Sequence, residues 1–196
     1  MANVHDVAAA LLAATGPESP MKLQKLLYYS QAWHLAQHGT PLFDAPIEAW
    51  RRGPVVPEVY WQHEGQREVH SWEEGDPEAL AAEECAVVQS VAKRYGGFSR
   101  HELSEMAHDE EPWRTARGDL PDTEPSTAPI SHEVMERYFR RLVSDPETAV
   151  AEAQASAGIE GLEISTAAVA AARAVVRGEV SADEAIARRI EALLRS

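Results

Sequence analysis

The sequence has one cysteine, Cys85, in 196 residues. A lone thiol excludes an internal disulfide framework and a multi-cysteine zinc site. No run approaches the roughly 20 apolar residues that a membrane span needs, so no membrane is expected. The N-terminal MANVHDVAAALLAATG has no basic stretch ahead of its apolar part, which argues against a secretory signal. Basic residues are scarce: 18 Lys and Arg face 32 Asp and Glu, a net charge of −14. Such a chain repels a phosphate backbone, and no basic stripe interleaved with aromatics offsets it, so no nucleic acid is expected as a partner. A basic protein partner is easier to accommodate. There is no P-loop, no G-x-G-x-x-G and no G-x-S-x-G. These absences describe a cytoplasmic protein that is not an enzyme and needs no cofactor.

What is present is concentrated between Met21 and Tyr60, the densest run of large apolar and aromatic side chains. A core needs large side chains to fill it, so the centre of the main domain is placed there. Asn3 can cap a first helix that Gly16-Pro17 stops. Ser19-Pro20 starts a second, with Ser at the cap and Pro at the first helical position. Its apolar face (Leu23, Leu26, Leu27, Tyr28, Trp33, Leu35) is wide enough to predict burial on more than one side, and Gly39 and Pro41 end it. Prolines 41, 46, 54 and 57 with Gly53 break any helical period. Pro46 to Trp50 reads as a short edge strand, and Val59 to Trp61 as the start of a short helix. Asp76-Pro77 predicts the opening of a long helix with the stripe Leu80, Val87, Val88, Val91 and Tyr95, ended by Gly96-Gly97. Ser99 and Glu102 form a capping box before Leu103 and Met106. His108 to Arg117 reads as a charged turn around Trp113, and 118–129 as a proline-rich loop. Ser131 caps a further helix through Val134, Tyr138, Phe139 and Leu142.

At Asp145-Pro146 the composition changes. From there to Ser196 no Trp, Tyr, Phe, Met, Cys, Lys or His occurs, and alanine dominates. Three helices are signalled. Without aromatics they bury little area, so they are expected to pack on something else. The fold class is therefore mainly α: a helical globular domain over 1–144 with a small β element, followed by a three-helix appendage over 145–196.

The main domain resembles the Panacea family of bacterial antitoxin domains, the SocA-like proteins. The resemblance rests on Lys22-Leu23-Gln24-Lys25-Leu26-Leu27-Tyr28-Tyr29, Trp33-His34-Leu35, Gly39-Thr40-Pro41-Leu42-Phe43 and Ile47-Glu48-Ala49-Trp50. Arg52-Gly53-Pro54-Val55-Val56-Pro57 and the later Pro112-Trp113 and Tyr138-Phe139 extend it. It covers about residues 4 to 143. It implies an antitoxin that neutralises a cognate toxin by direct binding. The tail is similar to the small antitoxins of the VbhA type. Ser156-Ala157-Gly158-Ile159-Glu160-Gly161 matches the pattern (S/T)xxxE(G/N) of Fic-domain regulation, and Arg177-Gly178-Glu179-Val180-Ser181, Glu184 and Arg189 follow. That resemblance implies a Fic-domain toxin as partner. Fic enzymes move AMP from ATP to a hydroxyl of a target protein. The inhibitory glutamate, here Glu160, pairs with the arginine that would hold the ATP γ-phosphate.

The residue chemistry suits that role. Ser156 and Glu160 are four apart and share one helix face. A carboxylate is the natural bidentate partner of a guanidinium, and Gly161 can take the left-handed turn that ends a helix. Gly158 costs about 1 kcal/mol against alanine inside a helix, which predicts ordering on binding. The plain reading of the same hexad is a helix end with a solvated glutamate and a glycine stop. His101, His108, Asp109, Glu110 and Glu111 invite a metal or acid–base reading. No further ligand stands at helical spacing, so a charged turn is expected and no metal. Cys85 follows Glu83 and Glu84 and reads as a packed thiol rather than a nucleophile. Two other functions stay open: a Panacea-type antitoxin for a non-Fic toxin, the tail serving only stability or oligomerisation, and a proteolytic adaptor.

Overall fold

The computed structural model describes residues 1–121, 123–144 and 169–170. Among them are seven helices and one antiparallel pair of strands, so the described chain is mainly α with a small β element. Two compact units are present, Met1–Arg140 and Arg141–Ser196. Of the second, 141–144 and 169–170 are described, all helical.

In chain order the elements are α1 (Val4–Thr15), α2 (Pro20–His38), β1 (Glu48–Trp50), β2 (Gly53–Val55) and α3 (Pro57–His63). They continue with α4 (Ala82–Tyr95), α5 (Arg100–Asp109), α6 (Glu111–Arg117) and α7 (His132–Ser144). Asn3 caps α1 by accepting from the His5 N–H, and Gly16 closes it at φ +82°. Ser19 caps α2 by accepting from the Lys22 N–H, Pro20 opens it, and Gly39 ends it in the left-handed region. These local signals set the ends of α2, but tertiary packing stabilises its middle. Every residue from Leu23 to Ala36 is buried. A helix hidden all round needs neighbours on every side, and α2 packs against α1, α3, α4, α5 and β2.

Aromatic rings fill the space around it. Tyr29 stacks on Tyr95 of α4 with centroids 4.0 Å apart, and the Trp33 indole N–H donates to the Tyr95 hydroxyl at 2.9 Å. Phe139 of α7 sets its ring edge-to-face with Tyr28, Tyr29 and Trp33 at 5.2 to 6.1 Å. Offset and edge geometries of this kind are favoured by the ring quadrupole. Gln31 holds the chain that follows α2: its Oε1 accepts from the Leu42 and Phe43 N–H groups, and its Nε2 donates to the Phe43 carbonyl.

Two expectations are corrected. The helix expected from Asp76-Pro77 begins at Ala82. Asp76 caps only an isolated turn, its Oδ1 accepting from Glu78 N–H and its carbonyl from Ala79 N–H. Leu80 therefore lies outside the helix, whose first turn is tied by Glu84 accepting from the Ala81 N–H at 2.9 Å. The segment 108–117 is not a charged turn: α5 runs to Asp109 and α6 follows at once, with Pro112 in its first turn and Gly118 after its end. Proline near a helix start costs no hydrogen bond, and burial of Trp113 and Arg117 stabilises the short helix.

Candidate functional site

A tight hairpin stands over α2. Trp50 pairs with Gly53 at its end, so Arg51 and Arg52 form the two-residue tip, and both side chains are exposed. Gly53 has φ +96°, and a Cβ there would stand 2.6 Å from Lys25 Cε. Only glycine admits that backbone and that approach. Under it lies Lys25 of α2, 1% exposed. Its ammonium donates to the Pro54 carbonyl at 3.0 Å, and among the described residues no carboxylate pairs with it. Burial lowers its pKa from 10.5 to about 7, because a charge without a counter-ion is poorly solvated in the interior.

Next to it, Gln24 joins α2 to the hairpin's exit and to α3. Its Oε1 accepts from the Val56 N–H at 2.7 Å, which fixes the amide so that Nε2 donates to His63 Nε2 at 2.9 Å. A neutral His63 then carries its proton on Nδ1, and burial lowers its pKa, favouring that neutral form. Nδ1 has no hydrogen-bond partner, although the residue is 1% exposed. Lys25, Gln24, Val55 and His63 line a cavity of about 380 Å³. Pro20, Met21, Trp50 and Tyr60, all half-buried, complete its walls, and Arg51 and Arg52 stand at its edge.

A second buried polar centre ties the rest together. The Tyr28 hydroxyl donates to Glu110 Oε2 at 2.6 Å, and burial with the nearby Glu110 charge raises the Tyr28 and Tyr29 pKa values well above the ordinary tyrosine range. The Arg117 guanidinium donates to the carbonyls of Ala49, Pro121 and Glu124 and lies over the Trp113 ring at 4.9 Å. Trp113 in turn donates to the Trp50 carbonyl. This centre braces the hairpin from below.

Ser156, Glu160 and Gly161 lie outside the described residues. The histidine and acid cluster is dispersed by its partners: His108 stacks on Trp113, Glu110 takes Tyr28, and Glu111 pairs with Arg137 at 2.7 Å. No group of three metal-ligating side chains occurs among the described residues. Cys85 is half-buried and accepts from Gln89 Nε2. Gln24 and Lys25 appear only within the run that carries the family resemblance, and none of Gln24, Lys25 and His63 is read from the sequence as a site residue. The available signal was Gln24 and Lys25 inside a helix too apolar to expose them.

The described residues form a mainly helical domain with one small hairpin and a cavity beside it. Residues 23–114 match the family model described as antitoxin SocA-like, Panacea domain, and residues 147–192 match that of antitoxin VbhA. Over these two stretches the chain is similar, in order, to SocA-like Panacea domains and to VbhA-type antitoxins. Antitoxin SocA of Caulobacter vibrioides (strain NA1000 / CB15N) is 48% identical over 44 residues, which are 22% of this chain and 23% of that protein. No solved structure matches.

Proposed function

We propose that the chain is an antitoxin that neutralises a Fic-domain AMP-transferase by direct binding. The observation that carries the reading is the order of the two matches in one chain, a SocA-like domain at 23–114 and a VbhA segment at 147–192. On this reading 1–144 is the anchoring domain and 145–196 the inhibitory segment. Glu160 takes the arginine that would hold the ATP γ-phosphate, Ser156 touches the toxin from the same helix face, and Gly161 turns the chain. The chain itself performs no catalysis and binds no cofactor; its partner is the cognate toxin. Glu160→Gly should restore nucleotide use by the co-purified toxin while leaving the complex intact. Full suppression by that variant would remove the inhibitory glutamate from the account.

A second reading is favoured by the exposed Trp61, whose ring packs on Trp50 of the hairpin. Here the 1–144 domain is itself the neutralising surface for a toxin of another class, or an adaptor that delivers it to a protease, and the tail adds stability or oligomerises. Deleting 145–196 separates the two: neutralisation fails under the first reading and survives under the second.

A further inference from the structure

We infer that the cavity between α2, α3 and the β1–β2 hairpin is an anion site, made for a carboxylate carried on an apolar body, and that an acidic side chain of a protein partner fills it. The partner half rests on the antitoxin reading; the chemistry of the cavity does not.

Three basic side chains line this one cavity in a chain whose net charge is −14. Among the described residues none of Lys25, Arg51 and Arg52 is paired with a carboxylate. The acids on the same elements are already engaged: Glu48 accepts from the Trp50 indole at 2.6 Å, and Glu58 pairs with His5 at 3.1 Å. Unmet donors lie deeper. The Lys25 ammonium has three N–H groups and one acceptor, and His63 Nδ1 has none. A buried donor without an acceptor is costly, and an oxyanion that reaches the Lys25 amino group would satisfy its spare donors with charge-assisted bonds. The body of the ligand is read from the walls. Met21, Trp50, Val55 and Tyr60 are apolar or aromatic, and about 380 Å³ lies in the range of organic-ligand pockets rather than of a bare inorganic ion.

A protein source is favoured by the rim. Trp61 is 61% exposed and packs edge-to-face on Tyr60 at 5.0 Å and on Trp50 at 6.4 Å. Trp, Tyr and Arg are the residues that dominate binding energy at protein interfaces; here Trp50, Tyr60, Arg51 and Arg52 line the cavity, and Trp61 packs on two of them.

The test uses the full chain in low-salt buffer at pH 7 and isothermal calorimetry. Benzoate is the probe, benzamide its neutral counterpart and inorganic phosphate the compact anion. Benzoate should bind saturably and about tenfold or more tighter than benzamide. Arg51→Gln with Arg52→Gln, both at the exposed tip, should weaken it about tenfold, and Lys25→Met should abolish the preference for the charged probe. Equal binding of benzoate and benzamide, tighter binding of phosphate than of benzoate, or no binding in a chain folded by circular dichroism overturns the site. In the complex with the co-purified toxin, benzoate should compete and Trp61→Ser should weaken association at least tenfold. Benzoate binding without competition makes the cavity a free-acid site and overturns the partner half. A chain that binds benzoate yet forms no complex overturns the antitoxin reading and the partner half with it.

Discussion

Removing one ammonium from the interior should change how stability depends on pH. Lys25 is wholly buried, and its pKa falls from 10.5 in the unfolded chain to about 7 in the fold. Between those values the unfolded chain holds the proton and the folded chain has lost it, so stability rises with pH across that window. At 1.36 kcal/mol per pH unit, a gap of about 3.5 units makes the protonated lysine cost on the order of 5 kcal/mol. That cost is carried in full below pH 7 and relieved as pH climbs toward 10.5. From pH 7 to pH 9, stability due to this group alone should grow by about 2 kcal/mol. Lys25→Met keeps the length of the side chain and removes the titration. Urea unfolding followed by far-UV circular dichroism at half-unit pH steps gives the two profiles. Subtracting them cancels every group that titrates alike in both proteins. The wild-type minus variant difference should rise by about 2 kcal/mol over pH 7 to 9. Parallel profiles, within about 0.5 kcal/mol, would mean that Lys25 keeps its proton in the fold, and the account of a lone buried ammonium would be wrong.

Gly53→Ala should cost about 2 kcal/mol or more, since φ +96° strains any side chain and the new Cβ meets Lys25 Cε. Gly97→Ala, with nothing within 4 Å, is the control and should leave the melting temperature unchanged. Phe139→Ala opens the middle of the aromatic cluster and should cost about 3–5 kcal/mol, a fall of roughly 10 °C by calorimetry; a loss under about 1 kcal/mol would mean that the ring is not central.

The parts of the fold that local chemistry dictates were legible in the residues. The Ser19-Pro20 start and Gly39 end of α2 are observed as read, and so is the capping box of α5, where Ser99 and Glu102 satisfy each other's N–H groups. The failures have a common cause. Asp76-Pro77 is a sound helix start by local rules, but its turn is diverted when the Asp76 N–H donates to Asp6, seventy residues away. The α6 segment looks like a charged turn until burial of Trp113 against the hairpin is known. The cavity was hidden for the same reason: Lys25 meets Pro54 and Gln24 meets His63 across 29 and 39 residues, and no spacing rule reaches that far. The proposed inhibitory residues Ser156, Glu160 and Gly161 rest on motif and resemblance.

The central position of α2 has a consequence for measurement. With Leu23 to Ala36 buried on all sides, its backbone N–H groups can meet solvent only when several neighbouring elements separate together. Their hydrogen exchange should therefore report global opening rather than local fraying. A ligand that binds only the folded chain lowers the open population by the factor 1 + [L]/Kd, and the amides from Leu23 to Ala36 should slow by that same factor. The helix thus acts as a reporter of occupancy at any surface of the domain, without a probe placed at the site itself.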